Sequence, residues 1–139
     1  MSTTDLFLRH HSFIGKDIPA TEAAEVYHAD VVMEFPYAPK HHTGKRVGME
    51  NVLGFLKAIG IYFTDIEMAT PKIIETSDPN VLVVEYPGAS TCVDTGLPYR
   101  QNYIAVVTAR DGKIAHIREY YNPIPVLVST GEIEEPGNS

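Results

Sequence analysis

Basic residues are scarce in this chain. Lys and Arg total 11 against 18 Asp and Glu, a net charge of −7, and Lys45-Arg46 is the only adjacent Lys/Arg pair. Nucleic acids and anionic membrane surfaces require a larger positive patch, so neither is an expected partner. Cysteine occurs once, as Cys92. It cannot close an internal disulfide, and a reducing cytoplasm is the expected location. No neighbouring basic residue or histidine would lower its pKa, so a thiolate nucleophile is not expected. Long apolar runs are missing too; none approaches the ~20 residues of a membrane helix. The start, Met1-Ser2-Thr3-Thr4-Asp5-Leu6, has neither the basic flank nor the apolar stretch of a targeting segment. A nucleophile-elbow serine, a Walker loop and a dinucleotide fingerprint are all absent. Gly44-Lys45-Arg46 is too short to cradle phosphates. There is no internal repeat.

What the chain does contain is an ordinary globular composition: 139 residues, 44% apolar and 21% charged. That predicts one domain over 1–139, with a core that needs no disulfide or metal. Glu132, Glu134, Glu135, Pro136 and Gly137 mark residues 131–139 as an acidic, turn-rich tail, leaving an ordered core over about 5–125. The first half reads helical. Leu6, His10 and Phe13 form one stripe, and Asp17 with Pro19 opens a second short helix through Ala23, Ala24, Val26 and Tyr27. Val31 to Tyr37 reads as a strand ending at Pro36. Val52, Phe55, Leu56 and Ile59 follow helical spacing over residues 47–59, with Gly60 placed to end that helix.

After Gly60 the period changes to two. Phe63 to Thr76 reads as a long strand bent at Pro71, and Val81 to Cys92 as a second. Tyr99 to Ala109 and Lys113 to Tyr121 form a hairpin across Asp111-Gly112, both of which tolerate the positive φ of a primed turn. Helices first and strands last predict an α+β fold: a curved antiparallel sheet wrapped around N-terminal helices, forming a cone with an internal pocket.

The most suggestive side chain is Glu119. Alternation puts it on the face of Ile117 and Tyr121, opposite Arg118 and Tyr120. A carboxyl in apolar and aromatic company is costly to ionise and suits a general acid or base. The plainer alternative is a solvated glutamate paired with Arg118 or Arg100. Tyr103 and Asn102 can donate to a developing oxyanion, or Tyr103 can simply pack in the core. His41 and His42 sit in a loop where one could transfer a proton at a pocket mouth; two solvated histidines is the simpler reading. Their neighbours lack metal-ligand spacing, so no metal is expected. His10 and His11 read as helix-surface residues.

The order and wording of these motifs resemble the nuclear transport factor 2-like superfamily. Within it, the chain resembles the SnoaL-like polyketide-cyclase group, whose other relatives include steroid isomerases and small dehydratases. The resemblance rests on Ala29-Asp30-Val31-Val32-Met33-Glu34-Phe35-Pro36, on Gly44-Lys45-Arg46, and on Tyr99, Asn102, Tyr103, Asp111-Gly112-Lys113-Ile114 and Arg118-Glu119-Tyr120, across residues 5–125. The stretches Ile74 to Asn80 and Asp111 to Asn122 are also similar to the phenazine-biosynthesis A/B proteins. A glutamate on the last strand of those proteins matches Glu119. Their helix histidine, and the serine one turn later, are replaced here by Asn51 and Phe55.

The resemblance implies an enzyme without cofactor that transfers a proton on a small, largely apolar molecule, as in isomerisation, cyclisation or dehydration. Glu119, Tyr103, His42 and His41 are the expected catalytic set. Asn102, Phe35, Tyr37, Asn51, Phe55 and Tyr121 are the expected substrate-binding set. A homodimer through the outer sheet face is also implied. The alternatives are a non-catalytic ligand-binding or accessory dimer, and a scaffold in which Tyr86, Tyr99 and Val83 form an interface.

Overall fold

Ser2 and Asp5 start the first helix by capping each other: the Asp5 amide donates to Ser2 Oγ at 3.1 Å and the Ser2 amide to the Asp5 carboxylate at 3.3 Å. In the computed structural model, which describes residues 1–136, this helix, α1 (Thr3–Ser12), lays Leu6, Phe7 and His10 against the sheet. The elements that follow are α2 (Ala20–Ala23), β1 (Tyr27–Glu34), β2 (Lys45–Val47), α3 (Met49–Tyr62), β3 (Phe63–Met68), β4 (Lys72–Glu75), β5 (Val81–Cys92), β6 (Pro98–Arg110), β7 (Lys113–Tyr121) and α4 (Pro123–Ser129). The strands form one curved, unclosed sheet in the order β2-β1-β7-β6-β5-β3, with β4 also on β5. The helices cover its concave face, and the core runs between Leu6, Phe7, Val52 and Leu56 on the helices and Val31, Val84, Val107 and Ile117 on the strands.

The α+β class holds, but the expected antiparallel sheet has one exception. β1 runs parallel to β7, with Met33 opposite Ile117 and Glu34 opposite Arg118. A long connection carrying α3 and five strands separates the two, so no tight turn forces them antiparallel. Asp111 (φ 54°) and Gly112 (φ 72°) make the predicted primed turn of the β6–β7 hairpin.

Several boundaries differ from the sequence reading. Val26 and Tyr27 are not helical; α2 is a single turn and β1 already starts at Tyr27. Val47, where the long helix was expected to begin, belongs to the short strand β2 with Lys45 and Arg46, and α3 starts at Met49. Pro71 divides the expected long strand into β3 and β4, which pair with successive lengths of β5. Gly60 does not end α3. It lies inside the helix, where a Cβ would stand 2.1 Å from the Gly15 carbonyl oxygen, so its role is close approach. The sequence reading missed α4 altogether. Asn122 caps it, accepting from the Ile124 amide at 3.0 Å, and Pro123 takes the first turn. Residues 131–136 of the acidic tail follow this helix, and the last three lie outside the described residues. No helix among the described residues is long and apolar enough to cross a membrane.

Candidate active site

The concave face of the sheet and the inner sides of α1, α3 and α4 enclose a cavity of about 340 Å³. Strand alternation decides what faces it. Val52 and Leu56 of α3 are fully buried, while Phe55 and Ile59 from the same stripe are partly exposed to the cavity. On the sheet, Tyr86, Tyr103 and Tyr121 occupy matching positions of β5, β6 and β7 and form a row of rings. Tyr86 stacks on Tyr103 at 5.2 Å between centroids, and Tyr121 meets Tyr103 edge-on at 6.3 Å. In the next row Glu119 lies opposite Ala105. That small neighbour leaves space for the glutamate to lean across β6 towards Tyr86.

Glu119 is 8% exposed. The Tyr86 hydroxyl donates to its Oε1, and Oε2 takes no hydrogen bond from the described residues yet is not sealed off. Burial raises the carboxyl from the ordinary glutamate range to about 7, with the Tyr86 hydrogen bond pulling the other way. Burial also holds the tyrosines protonated. Tyr86 is pushed well above its usual value, first by desolvation and then by the Glu119 charge. Tyr103 and Tyr99 are likewise raised by desolvation, and Tyr121 is pushed up to about 12. The Tyr99 and Tyr103 hydroxyls lie 3.1 Å apart. Gln101 positions Tyr99, donating to its hydroxyl at 3.2 Å and to the Asn122 carbonyl at 2.7 Å. The result is one carboxyl that can exchange a proton near neutrality, beside hydroxyls that remain donors.

Glu119, Tyr103, Phe35, Phe55, Tyr121 and His42 all line this cavity. Four expected site residues do not. Asn102 alternates with Tyr103 and therefore points out through the opposite face, where it is exposed. Asn51 lies on the outer side of α3, its amide donating to the Val47 carbonyl at 2.7 Å. Tyr37 is 61% exposed and packs edge-on against the outward-facing Tyr120. His41 is exposed at φ 76°. His42 reaches the cavity wall but bonds Glu132 at 2.7 Å, an interaction linking its loop to the segment after α4. Glu119 forms no ion pair with Arg118 or Arg100; Arg118 turns to the other face, over the Tyr120 ring at 5.9 Å.

Other residues in or beside the cavity were not expected there from sequence. Tyr86 is buried beside Glu119 and is not part of an interface on the outer face. Its alternation with Leu82 and Val84 puts it on their face of β5 but does not say that this face is the inner one. His10 is 1% exposed, not on the surface, and shares a 2.5 Å hydrogen bond with the Tyr27 hydroxyl. Desolvation lowers its pKa to about 3, so its imidazole is neutral at any working pH. Val126 and Thr130 bring the missed α4 region to the cavity. No group of three or more His, Cys, Asp or Glu among the described residues is placed to hold a metal ion.

A family profile described as a SnoaL-like domain matches residues 11–117. The uncharacterized protein YesE of Bacillus subtilis is 32% identical over 117 residues, covering 81% of this chain and 80% of that protein. The uncharacterized PhzA/B-like protein PA3332 of Pseudomonas aeruginosa is 30% identical over 114 residues, covering 79% and 77%. Among solved structures, a proposed isomerase from Bacillus subtilis superimposes with a TM-score of 0.80 at 26% identity, over 98% of this chain and 100% of that one. The phenazine biosynthesis-related protein phzb2 of Pseudomonas aeruginosa shares the fold at a TM-score of 0.69 and 21% identity, over 95% of this chain and 75% of that one. The profile stops two residues short of Glu119, so membership by itself assigns that residue no role. By the extent of the profile and by both relatives, this chain belongs to the SnoaL-like domain family.

Proposed function

We propose that the protein is a cofactor-independent acid–base enzyme acting on a small, largely apolar carbonyl compound. The observation that carries this reading is the buried Glu119 carboxyl, raised to about 7 and facing the cavity with one oxygen free. In the proposed step the Glu119 carboxylate takes a proton from the carbon next to the substrate carbonyl. Negative charge moves to the carbonyl oxygen, where a hydroxyl of the Tyr99–Tyr103 pair donates to it. Glu119 then returns the proton to a different carbon, giving an isomer, or to a departing hydroxyl, releasing water. Tyr86 keeps the carboxyl from rising further and aims it. Isomerase chemistry is also the class proposed for the Bacillus subtilis neighbour.

The test does not require the natural substrate. Enzyme is incubated in D₂O with a panel of cyclic ketones and enones, and deuterium incorporation next to the carbonyl is followed by NMR. The expected result is catalysed exchange that rises with pH through about 7 and disappears in Glu119→Gln. Exchange no faster than in buffer across the panel, or a Gln variant equal to wild type, overturns the reading. The second reading, a non-catalytic ligand binder, is favoured by the resemblance to the phenazine-type proteins, which implies a helix histidine and serine that Asn51 and Phe55 replace here. Under it, ligands bind but no proton exchanges. We further propose a homodimer through the outer sheet face, tested by light scattering; a mass near 15.4 kDa would contradict it.

A further inference from the structure

We infer that Arg46 forms an anion-binding subsite on the β2 side of the cavity, and that the ligand is a flat, largely apolar molecule bearing a carboxylate. This rests on the cavity being the binding site and goes beyond the proton-transfer reading by naming the ligand's charge. The Lys45-Arg46 pair is the chain's only adjacent basic pair, and the proposed chemistry leaves it unused. β2 places Arg46 opposite Met33, itself a cavity residue, while Lys45 and Val47 alternate to the exposed side. Arg46 is therefore the one Lys or Arg on the cavity wall.

Its surroundings leave it available. The guanidinium lies 5.6 Å from the Phe55 centroid, a cation–π contact that holds it without neutralising it. Its one hydrogen bond among the described residues is a long 3.4 Å donation from Nη2 to Thr43 Oγ1. It forms no ion pair among the described residues. The nearby Glu132 carboxylate is held by His42 and Thr130 instead. Among the described residues a single acceptor meets the guanidinium, whose fork of N–H donors suits a carboxylate.

The aromatic residues supply the rest of the argument. From Arg46 a continuous line of rings leads to the acid: Phe55, then Phe35 at 5.0 Å, Tyr121 at 6.2 Å and Tyr103 at 6.3 Å, with Tyr103 stacked on the Tyr86 that bonds Glu119. A planar apolar body lying along these rings would put an acidic substituent at Arg46 and a carbonyl at the tyrosines. Binding at the first end would orient the second.

Affinity measured by calorimetry tests this without turnover. The probes are benzoate, 2-naphthoate and indole-3-acetate, each against its neutral amide, with wild type and Arg46→Met, which keeps the alkyl packing and removes the charge. Wild type is expected to favour at least one carboxylate over its amide, more so at low salt. Arg46→Met should weaken that carboxylate about tenfold, the order of one charge-assisted hydrogen-bond set, and barely change the amide. The inference falls if no carboxylate binds wild type more tightly than its amide, or if Arg46→Met weakens acid and amide equally. Since the readout is binding alone, this subsite can fail while Glu119-dependent exchange stands, and the reverse.

Discussion

The molecule contains two buried acid–base groups, each hydrogen-bonded to a tyrosine, and they behave oppositely. At one, His10 of α1 meets Tyr27 at the start of β1. At the other, Glu119 of β7 meets Tyr86 of β5. Desolvation is the largest influence on both and disfavours the charged form in each case. For histidine that means a pKa lowered to about 3, far from any working pH, so the pair stays neutral and acts as packing with a satisfied hydrogen bond. For glutamate the same physics raises the pKa to about 7, where both protonation states are populated. Burial alone therefore does not mark a chemical site. The charge type sets the direction of the shift, and only the shift that ends near neutrality leaves a group able to give and take protons.

The largest expected break of this comparison comes from Glu119→Gln. It should lower proton exchange by ~100- to 10,000-fold, the usual span for general acid–base catalysis. Its stability effect has a definite sign. The native carboxyl keeps its proton up to about 7 whereas the unfolded one loses it near 4.5. The native state therefore binds the extra proton between those values, and wild-type stability declines as pH rises across them, by on the order of 3 kcal/mol. Thermal melts of the Gln variant should match or exceed wild type at pH 8, with no gain at pH 4.

His10→Gln probes the opposite member. The unfolded histidine takes up a proton below 6.5 and the native one only near 3, so wild-type stability should decline as pH falls through that window. Denaturant titrations across it should show a decline of several kcal/mol, flattened in the Gln variant, which cannot be protonated. A wild-type acid slope that persists unchanged in His10→Gln would break the comparison.

Tyr86→Phe sharpens it. The change removes the one protein hydrogen bond to the Glu119 carboxylate, so the inflection of the exchange profile should move above 7 by ~1 pH unit. Tyr27→Phe is the smallest effect, a loss of about 1 kcal/mol in chemical denaturation, because a neutral pair loses one hydrogen bond.

Much of this arrangement was legible in the chain. The Val52/Phe55/Leu56/Ile59 stripe, the Asp111-Gly112 turn and the alternation of Ile117, Glu119 and Tyr121 are local patterns, and each follows from helix or strand geometry. Asn102 and Tyr103 could not both face the cavity for the same reason, which strand alternation alone could have decided. Tyr86 was harder: β5 carries apolar residues on both faces, Leu82 and Val84 inward and Val81 and Val83 outward, so the pattern did not say which side was inner. The parallel pairing of β1 with β7 depends on contacts between segments far apart in the chain, which no local period encodes, whereas the burial of His10 was already in its stripe with Leu6 and Phe13, against the surface reading of that histidine. The α4 helix did have a local signal in Asn122-Pro123, overshadowed by the acidic residues that follow.

The most direct test of the account is the protonation of Glu119 itself. A ¹³C NMR titration of the glutamate side-chain carboxyls, with Glu119 assigned by its absence from Glu119→Gln, should show one carboxyl titrating near 7 and moving higher in Tyr86→Phe. A Glu119 signal that titrates near 4.5, like a solvated glutamate, would contradict it.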